Sequence, residues 1–390
     1  MNFFNHLKTK TDYFIIECLP SGMRALSLYL KDNELILQKF FDWHKIEDLA
    51  IFFKSLKLQK NSTVLFLHDN SMAATFAGLV KLEKNNFRSP ITTEDLQTFF
   101  GAATRQFFNR FREEAKRRLA ISEVDVILAN NRFLNLNLNG KPVINPLGQT
   151  ARFAELEIEQ TYLSRHFWDS ISEYTEKQAN VFHIECAGAI RDSLALLYPE
   201  RKVLLATVLP RVTKVFSCGG KNRYFGAVSF PKMQDRGEFA LGSDDLLELL
   251  SERFHIEKRV AEDLLWLYVE GGMSKHLRYS FEKLIAPFLA RFESGIARFF
   301  KKEEVCVVSS DLPFLTAGQK IQRLEAVHLA FPELASRLNL QVKNSRFMKH
   351  KLFSPIYLAG LIAYFKRTSD NYLSGLAKER MRWLQPENSA

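Results

Sequence analysis

The sequence predicts an α/β protein of two or three domains, with a small α+β unit inserted after its first strands. Its 390 residues, 46% of them hydrophobic and 34 of them Phe, can bury a substantial core, which excludes a disordered chain. Short apolar strand patterns occur near the N-terminus and again in the second half of the chain. One long amphipathic helix and a hairpin pattern lie between them, and this change of character marks the insertion.

The first 87 residues are predicted to be mainly β-strands. Pro20, Ser21 and Gly22 form a turn after the first strand, and Asp32-Asn33 has the composition of a hairpin tip. The predicted strands are 13–19, 24–30, 34–40 and 64–68.

A long helix is predicted to begin near residue 92. Thr92 and Asp95 have the spacing of a capping box, and a helix of about seven turns with an apolar stripe follows them. The stripe consists of Leu96, Phe99, Phe100, Ala103, Phe107, Phe111, Ala115 and Leu119. The opposite face is basic, so nucleic-acid binding is one interpretation. Core packing is the commoner role of an aromatic stripe at helical spacing, and we favour it.

A hairpin and a further strand complete the inserted unit. Leucine and asparagine alternate over residues 134–138, and Asn139-Gly140 tolerates the positive φ angles of a tight turn. Pro142, in the return strand, has no backbone N–H, which predicts an edge position. Residues 154–161 form the next strand.

The second half of the chain alternates predicted strands and helices. Ser243 is predicted to cap one helix, with Asp244 and Asp245 in its first turn near the positive end of the helix dipole. The other predicted helices are 185–197, 256–268 and 277–300, and the strands are 203–208, 214–217 and 305–308.

Composition limits the function classes. The net charge of +10 fits an acidic partner, an anionic membrane surface or nucleic acid, and does not choose among them. The four cysteines stand far apart, which predicts reduced thiols and neither a disulfide framework nor a metal site. The first residues lack the apolar core of a signal peptide. The run from Ile356 to Phe365 is ten residues, whereas a membrane-spanning helix needs about 20. We therefore expect a cytoplasmic protein.

Four motifs, in this order, give the sequence a family resemblance. They are ITTEDLQ at 91–97, NGKPVINPLG at 139–148, HIEKRVAEDLL at 255–265 and SPIYLAGLIAYF at 354–365. Together they resemble bacterial actin-like proteins of the FtsA/PilM group. The resemblance implies an actin-like (ribonuclease H-like) two-domain fold with an inserted, SHS2-like 1C subdomain.

The resemblance also implies a division of the chain into domains. Domain 1 would comprise residues 1–87 and 163–200, with the 1C subdomain at 88–162 between them. Domain 2 would be 201–365, with a smaller subdomain at 226–302, and a C-terminal amphipathic helix would follow at 366–390.

The first phosphate-binding loop of this family reads D-I-G-T-S-K, because glycine and serine let backbone N–H groups approach phosphate. The matching stretch here keeps a carboxylate, Glu17, and also Ser21 and Gly22. Leu19 adds bulk, however, and Pro20 removes one N–H donor.

The other nucleotide motifs depart further from the family. The second loop should read D-I-G-G-G-T-T-D, but residues 205–212 contain neither glycine nor a carboxylate. In the A-E-x-x-K helix motif Glu262 is present, and Leu265 replaces the lysine. Ser309-Ser310-Asp311 stands where a G-G-G adenosine loop is expected. The family positions that remain candidates for cofactor binding are Glu17, Ser21, Gly22 and Glu262.

These losses predict a protein that has no catalytic residues and hydrolyses ATP very slowly or not at all, because phosphoryl transfer depends on positioning at these loops. No cofactor is expected, and ATP with Mg²⁺ is implied by the family alone.

The C-terminal segment has an apolar face flanked by basic side chains, as in relatives that dock an amphipathic helix on the inner membrane. The residues expected to contact a membrane are Tyr372, Leu373, Leu376, Lys378, Arg380, Arg382, Trp383 and Leu384. The alternative is that this face packs on the protein's own core.

Three functions remain open at this stage. The first is an FtsA-like cell-division adaptor that tethers a filament-forming partner at the inner face of the membrane. The second is a PilM-like cytoplasmic scaffold of a type IV pilus or secretion machine. The third is an active actin-like ATPase. The expected partner is a protein and not nucleic acid, and self-association stays open.

Overall fold

The computed structural model describes most of the chain from residue 11 to residue 368. The described residues are 11–20, 22–31, 34–43, 49–58, 62–84, 88–143, 145–175, 180–198, 201–218, 233–269, 271–300, 304–310, 320–321, 324–329, 331–337, 339–343 and 355–368. They form two compact units. The first contains the described residues up to Ile190 and those from Ala359 onwards, and the second contains those from Arg191 to Leu358.

The first unit contains five strands of the first sheet. These strands are β1 (Thr11–Leu19), β2 (Gly22–Lys31), β3 (Glu34–Trp43), β4 (Thr63–His68) and β9 (Asn180–Glu185). They run side by side in the order β3-β2-β1-β4-β9, antiparallel from β3 to β1 and parallel from β1 to β9. All six residues of β4 are buried, because helices α1 (Leu49–Leu56) and α3 (Arg165–Thr175) cover one face and α9 (Ile356–Thr368) covers the other.

The inserted unit, called the lobe below, spans residues 73–164. It contains β5 (Ala73–Glu83), α2 (Thr93–Leu119), β6 (Val126–Leu138), β7 (Lys141–Pro142) and β8 (Phe153–Ser164). The strands lie in the antiparallel order β5-β8-β6-β7, and α2 packs on one face through its aromatic stripe. The lobe thus begins at β5, before residue 88, because β5 pairs with β8 along its whole length.

The local predictions for the lobe are confirmed. Thr92 caps α2, and its hydroxyl and the Asp95 carboxylate accept each other's backbone N–H. Asn139 and Gly140 have φ angles of 51° and 78°. Pro142 lies in an edge strand. Phe100 and Phe107 are fully buried, so the stripe on α2 is core.

The second sheet lies in the second unit and repeats the order of the first. Its strands are β10 (Lys202–Val208), β11 (Thr213–Cys218), β12 (Met233–Phe239), β13 (Glu304–Ser310), β14 (Lys320–Ile321) and β15 (Leu324–His328). They lie in the order β12-β11-β10-β13-β15-β14. The part from β12 to β10 is antiparallel, and β10, β13 and β15 are parallel.

Helices pack on this sheet to form one core. The remaining elements are α4 (Cys186–Leu197), α5 (Ser243–Phe254), α6 (Lys258–Val269), α7 (Lys275–Ala297), α8 (Phe331–Arg337) and the short strand β16 (Gln341–Lys343). Buried side chains of α5, α6 and α7 share a cluster with β10 and β13. The predicted cap of α5 is wrong by one residue. Gly242 precedes the helix, and its N–H donates to Asp245 Oδ2 at 2.7 Å.

Helix α9 returns the chain to the first unit. From Ala359 onwards it belongs there, although the sequence assigned residues up to 365 to domain 2. The ring of Tyr364 packs edge-on against Tyr13 and Phe182, and Gly360 lets the helix approach Leu67. The helix runs on to Thr368, past the predicted boundary at 365, and the predicted membrane-contact residues from Tyr372 to Leu384 lie outside the described residues. Within the described residues, no helix is both long and apolar enough to cross a membrane.

Candidate nucleotide site

The β1–β2 turn is the first candidate phosphate loop. Leu19 pairs directly with Gly22, so two residues form the turn. The first of them, Pro20, has no N–H to offer a phosphate, and the second, Ser21, lies outside the described residues. Gly22 has a φ of 154°, a conformation that L side chains rarely adopt. Glycine is therefore retained here for the geometry of the hairpin.

The carboxyl ends of the parallel strands β1, β4 and β9 meet beside this turn. Glu17 is 4% exposed, and its β1 neighbour Cys18 is fully buried. Burial, and then the nearby Glu17 carboxylate, raise the pKa values of the Cys18 and Cys186 thiols well above the usual range. Both thiols therefore stay protonated at neutral pH, a form that is a poor nucleophile and a poor metal ligand. Among the described residues, no three His, Cys, Asp or Glu side chains are grouped so as to hold a metal ion.

The β10–β11 turn is the second candidate phosphate loop, and its carbonyl groups are occupied. Leu209 N–H donates to the Val212 carbonyl at 2.9 Å and closes the turn. The first amides of α5 then bind its outer side. Ser243 N–H donates to the Leu209 carbonyl at 2.9 Å, and Asp244 N–H to the Pro210 carbonyl at 2.8 Å. Because a helix N-terminus must find acceptors for its free N–H groups, it packs here on the turn.

Gly242 makes this contact sterically feasible. A Cβ atom at this position would lie 2.3 Å from the Pro210 carbonyl oxygen and 2.4 Å from that of Leu209. No side chain larger than hydrogen fits without movement of the backbone. Glycine is therefore required in the segment that packs against this turn.

Ion pairs hold the side chain of Arg211 in the same turn. Its guanidinium lies 3.4 Å from Asp244 and 2.8 Å from Glu248, and Lys258 also approaches Glu248, at 3.1 Å. The hydrogen bond from Lys258 and then that from Arg211 lower the pKa of the Glu248 carboxyl. The cation of this turn is therefore paired with carboxylates of its own unit.

The A-E-x-x-K position on α6 contributes apolar side chains to the hydrophobic core. Leu265, at the position of the family's lysine, is fully buried together with Ala261. A charged ammonium there would have to leave water without compensation. Glu262 is half-buried on the same helix. Ser309 is buried at the end of β13, and Asp311 lies outside the described residues.

The predicted site residues are divided between the two units. Glu17 and Gly22 lie in one hairpin of the first unit, whereas Glu262 lies in the second unit. The sequence interpretation missed the packing of α5 on the β10–β11 turn. The available signal was Gly242 before Ser243, Asp244 and Asp245, a composition typical of a helix start.

The duplicated strand order decides the fold class. The order β3-β2-β1-β4-β9 recurs as β12-β11-β10-β13-β15 with the same strand directions. It is the ribonuclease H-like order, and two copies of it define the actin-like class. The chain has an actin-like fold.

In comparisons with known proteins, only solved structures are similar to this chain. No family model matches the sequence, and no curated protein does. One similar structure is a PilM–PilN type IV pilus biogenesis complex, with 12% identity, 92% of this chain and 99% of that chain covered, and a TM-score of 0.44. A protein of Bacteroides thetaiotaomicron with an actin-like ATPase fold and unknown function has 11% identity, 92% and 98% coverage, and a TM-score of 0.35. The cytoplasmic domain of EpsL, an inner-membrane component of the type II secretion system of Vibrio cholerae, has 11% identity, 89% and 98% coverage, and a TM-score of 0.32.

Proposed function

We propose that this protein is a non-catalytic actin-like scaffold that acts by binding other proteins. The observation that carries the proposal is the β10–β11 turn. Phosphoryl transfer needs N–H donors, positive charge and a metal-binding carboxylate around the phosphates. This turn instead uses its Leu209 and Pro210 carbonyls to accept the α5 amides, and Arg211 is held by carboxylates.

The residues present do not fit ATP with Mg²⁺. A carbonyl oxygen repels a phosphate oxygen, because both carry partial or full negative charge. Pro20 supplies no N–H in the other hairpin, and Leu265 supplies no ammonium. Glu17 is the one carboxylate at a family position in the first hairpin, and a single such group is a weak site. We infer that the protein works without nucleotide, and that its ATPase activity is absent.

Two kinds of cytoplasmic machine are candidates for the scaffold. The first is a type IV pilus or secretion machine, the kind named for two of the similar solved structures. The second is the cell-division apparatus, which the sequence resemblance to the FtsA/PilM group also includes. In both cases the proposed partner is another protein of the machine, and the proposed location is the cytoplasm, next to the inner face of the membrane.

Calorimetric titration of the full-length protein with Mg²⁺-ATP tests the loss of nucleotide binding. We expect no saturable heat up to about 1 mM ligand, which corresponds to less than about 4 kcal/mol of binding free energy. The matched variant is Glu17→Gln, which removes the retained carboxylate. A micromolar dissociation constant would overturn the proposal, and a weaker constant in Glu17→Gln would show that the first hairpin binds the nucleotide.

Deletion of the gene in its host separates the two machines. Loss of surface fibres or of a secreted enzyme, with normal cell length, supports the pilus or secretion scaffold. Filamentous cells with normal fibres support the division adaptor. Complementation with Glu17→Gln restores either phenotype if nucleotide has no role.

A further inference from the structure

One buried carboxylate joins the base of the lobe to the start of α4. Glu185 is the last residue of β9, and α4 begins at the next residue. The Glu185 Oε2 atom accepts the N–H of Thr75, in β5, at 2.9 Å. The Oε1 atom accepts a hydrogen bond from the guanidinium of Arg118, next to the last residue of α2. The carboxylate thus contacts both the first strand of the lobe and the end of its helix.

Another hydrogen bond crosses this junction in the opposite direction. Asn70 lies in the link from β4 to β5, and its Oδ1 atom accepts the N–H of Ala187 at 3.4 Å. Because the first N–H groups of a helix have no acceptor within it, Asn70 supplies one to the first turn of α4. The link is itself fixed, since the Asp69 N–H donates to the Cys18 carbonyl at 2.9 Å. The start of α4 therefore depends on the segment that leads into the lobe.

The ion pair of the junction is largely removed from water. The Glu185 side chain is 5% exposed, and that of Arg118 is 35% exposed. A buried carboxylate that loses its cation keeps an uncompensated charge, which is strongly destabilising. Glu185 therefore has to move towards water when Arg118 is withdrawn. The apolar base of the lobe is a separate contact, because Ala73, Ala129 and Leu163 share a core cluster with the first sheet.

We propose that this junction couples the position of the lobe to the order of the first turns of α4. The junction, called the clamp below, consists of Asn70, Thr75, Arg118, Glu185 and Ala187. A partner protein that turns the lobe on its apolar base withdraws Arg118 from Glu185. The carboxylate then moves towards water, and the first turns of α4 open more often. Because α4 passes from the first unit into the second between Ile190 and Arg191, binding at the lobe changes the helix by which the chain enters the second unit. The inference does not depend on the scaffold function proposed above.

Hydrogen exchange of the full-length protein, followed by mass spectrometry, is the first test. Arg118→Met keeps the aliphatic part of the side chain and removes its charge. We expect amide exchange to rise about tenfold or more in the first turns of α4 (186–192) and at the start of β5 (73–77), because both open locally more often. The matched control is Arg117→Met, at the neighbouring residue of α2, whose side chain is 78% exposed and pairs with Glu114. It should exchange as wild type does.

Three outcomes of this experiment overturn the proposal. Faster exchange in β5 with α4 unchanged would mean that the Arg118 contact fixes the lobe alone. An equal rise throughout both units, including the buried strands β10 and β13, would mean that the variant destabilises the whole protein without a specific coupling. Equal effects of Arg118→Met and Arg117→Met would mean that the ion pair with Glu185 has no special role.

A double-mutant cycle tests the route through the carboxylate. Glu185→Gln keeps the size of the side chain and removes its charge. If Arg118 acts on α4 through Glu185, Arg118→Met adds no further exchange in 186–192 to that of Glu185→Gln. A rise by the same factor in both backgrounds would overturn this route, because the two residues would then act independently. Arg118→Lys keeps a cation beside the carboxylate and is the milder variant, in which the same two regions should exchange faster by a smaller factor.

Discussion

At the scale of single residues, the first unit contains a buried histidine pair that the sequence did not reveal. His68 Nε2 and His183 Nδ1 are 3.0 Å apart, and the rings of Phe66, Phe167 and Trp168 surround them. Each histidine stood alone in the sequence. The parallel pairing of β4 with β9 brings them together, and that long-range pairing could not be inferred from local patterns.

The pair makes stability depend on pH. Burial lowers the pKa of His183 to about 3, and burial followed by the neighbouring His183 lowers that of His68 well below its usual range. In the unfolded chain both take up protons below about pH 6.5. The unfolded state then binds more protons, so stability is full above about pH 6.5 and falls as pH drops towards 3.

We expect each histidine to remove up to about 1.4 kcal/mol of unfolding free energy per pH unit below 6.5. Urea denaturation at pH 7 and pH 5 measures the loss. His183→Gln should lose less between these two pH values than wild type, while the exposed control His276→Gln should match wild type. Equal losses for wild type and His183→Gln would mean that His183 is protonated in the folded protein.

At the scale of elements, helices and turns with a strong local sequence pattern were predicted, and elements with a weak pattern were not. The capping box of α2 and the Asn139-Gly140 turn depend on residues close in sequence, and both are confirmed. β5, α3 and β9 were missed. β5 contains Gly78 and three alanines, so its strand pattern is faint. Its identity comes from pairing with β8 and from α2, since Gly78 lies against the Phe107 ring.

The packing of α5 on the β10–β11 turn gives a direct prediction. Gly242→Ala should lower the free energy of unfolding by about 2 kcal/mol or more, because its Cβ would overlap the Pro210 carbonyl oxygen. Urea denaturation checks this value. The matched control is Gly101→Ala in α2, whose Cβ would meet nothing within 4 Å. It should stabilise the protein by about 0.5–1 kcal/mol through helix propensity. Similar effects of both variants would contradict the packing argument.

At the scale of the whole molecule, the fold class followed from the order of motifs, whereas the role of the C-terminal helix did not. The SPIYLAGLIAYF motif was placed correctly on a helix, α9. Its membership of a unit depends on which sheet it covers, and no local pattern encodes that choice. Leu361 and Ile362 are buried in the first unit. One face of the first sheet is therefore covered by a helix from the C-terminal part of the chain.

Two truncations separate this structural helix from the proposed membrane segment. Ending the chain after Leu358 removes Leu361 and Ile362, each worth about 1.5–3 kcal/mol, from a fold whose total stability is about 5–15 kcal/mol. We expect the first unit to lose cooperative unfolding. Ending it after Thr368 keeps α9, so the melting temperature should stay within a few degrees of wild type. If residues 372–384 dock on a membrane, the same truncation abolishes co-sedimentation with anionic vesicles, because it removes Trp383 and its basic neighbours. A large drop in melting temperature after Thr368, with no vesicle binding by wild type, would show that this segment packs on the protein instead.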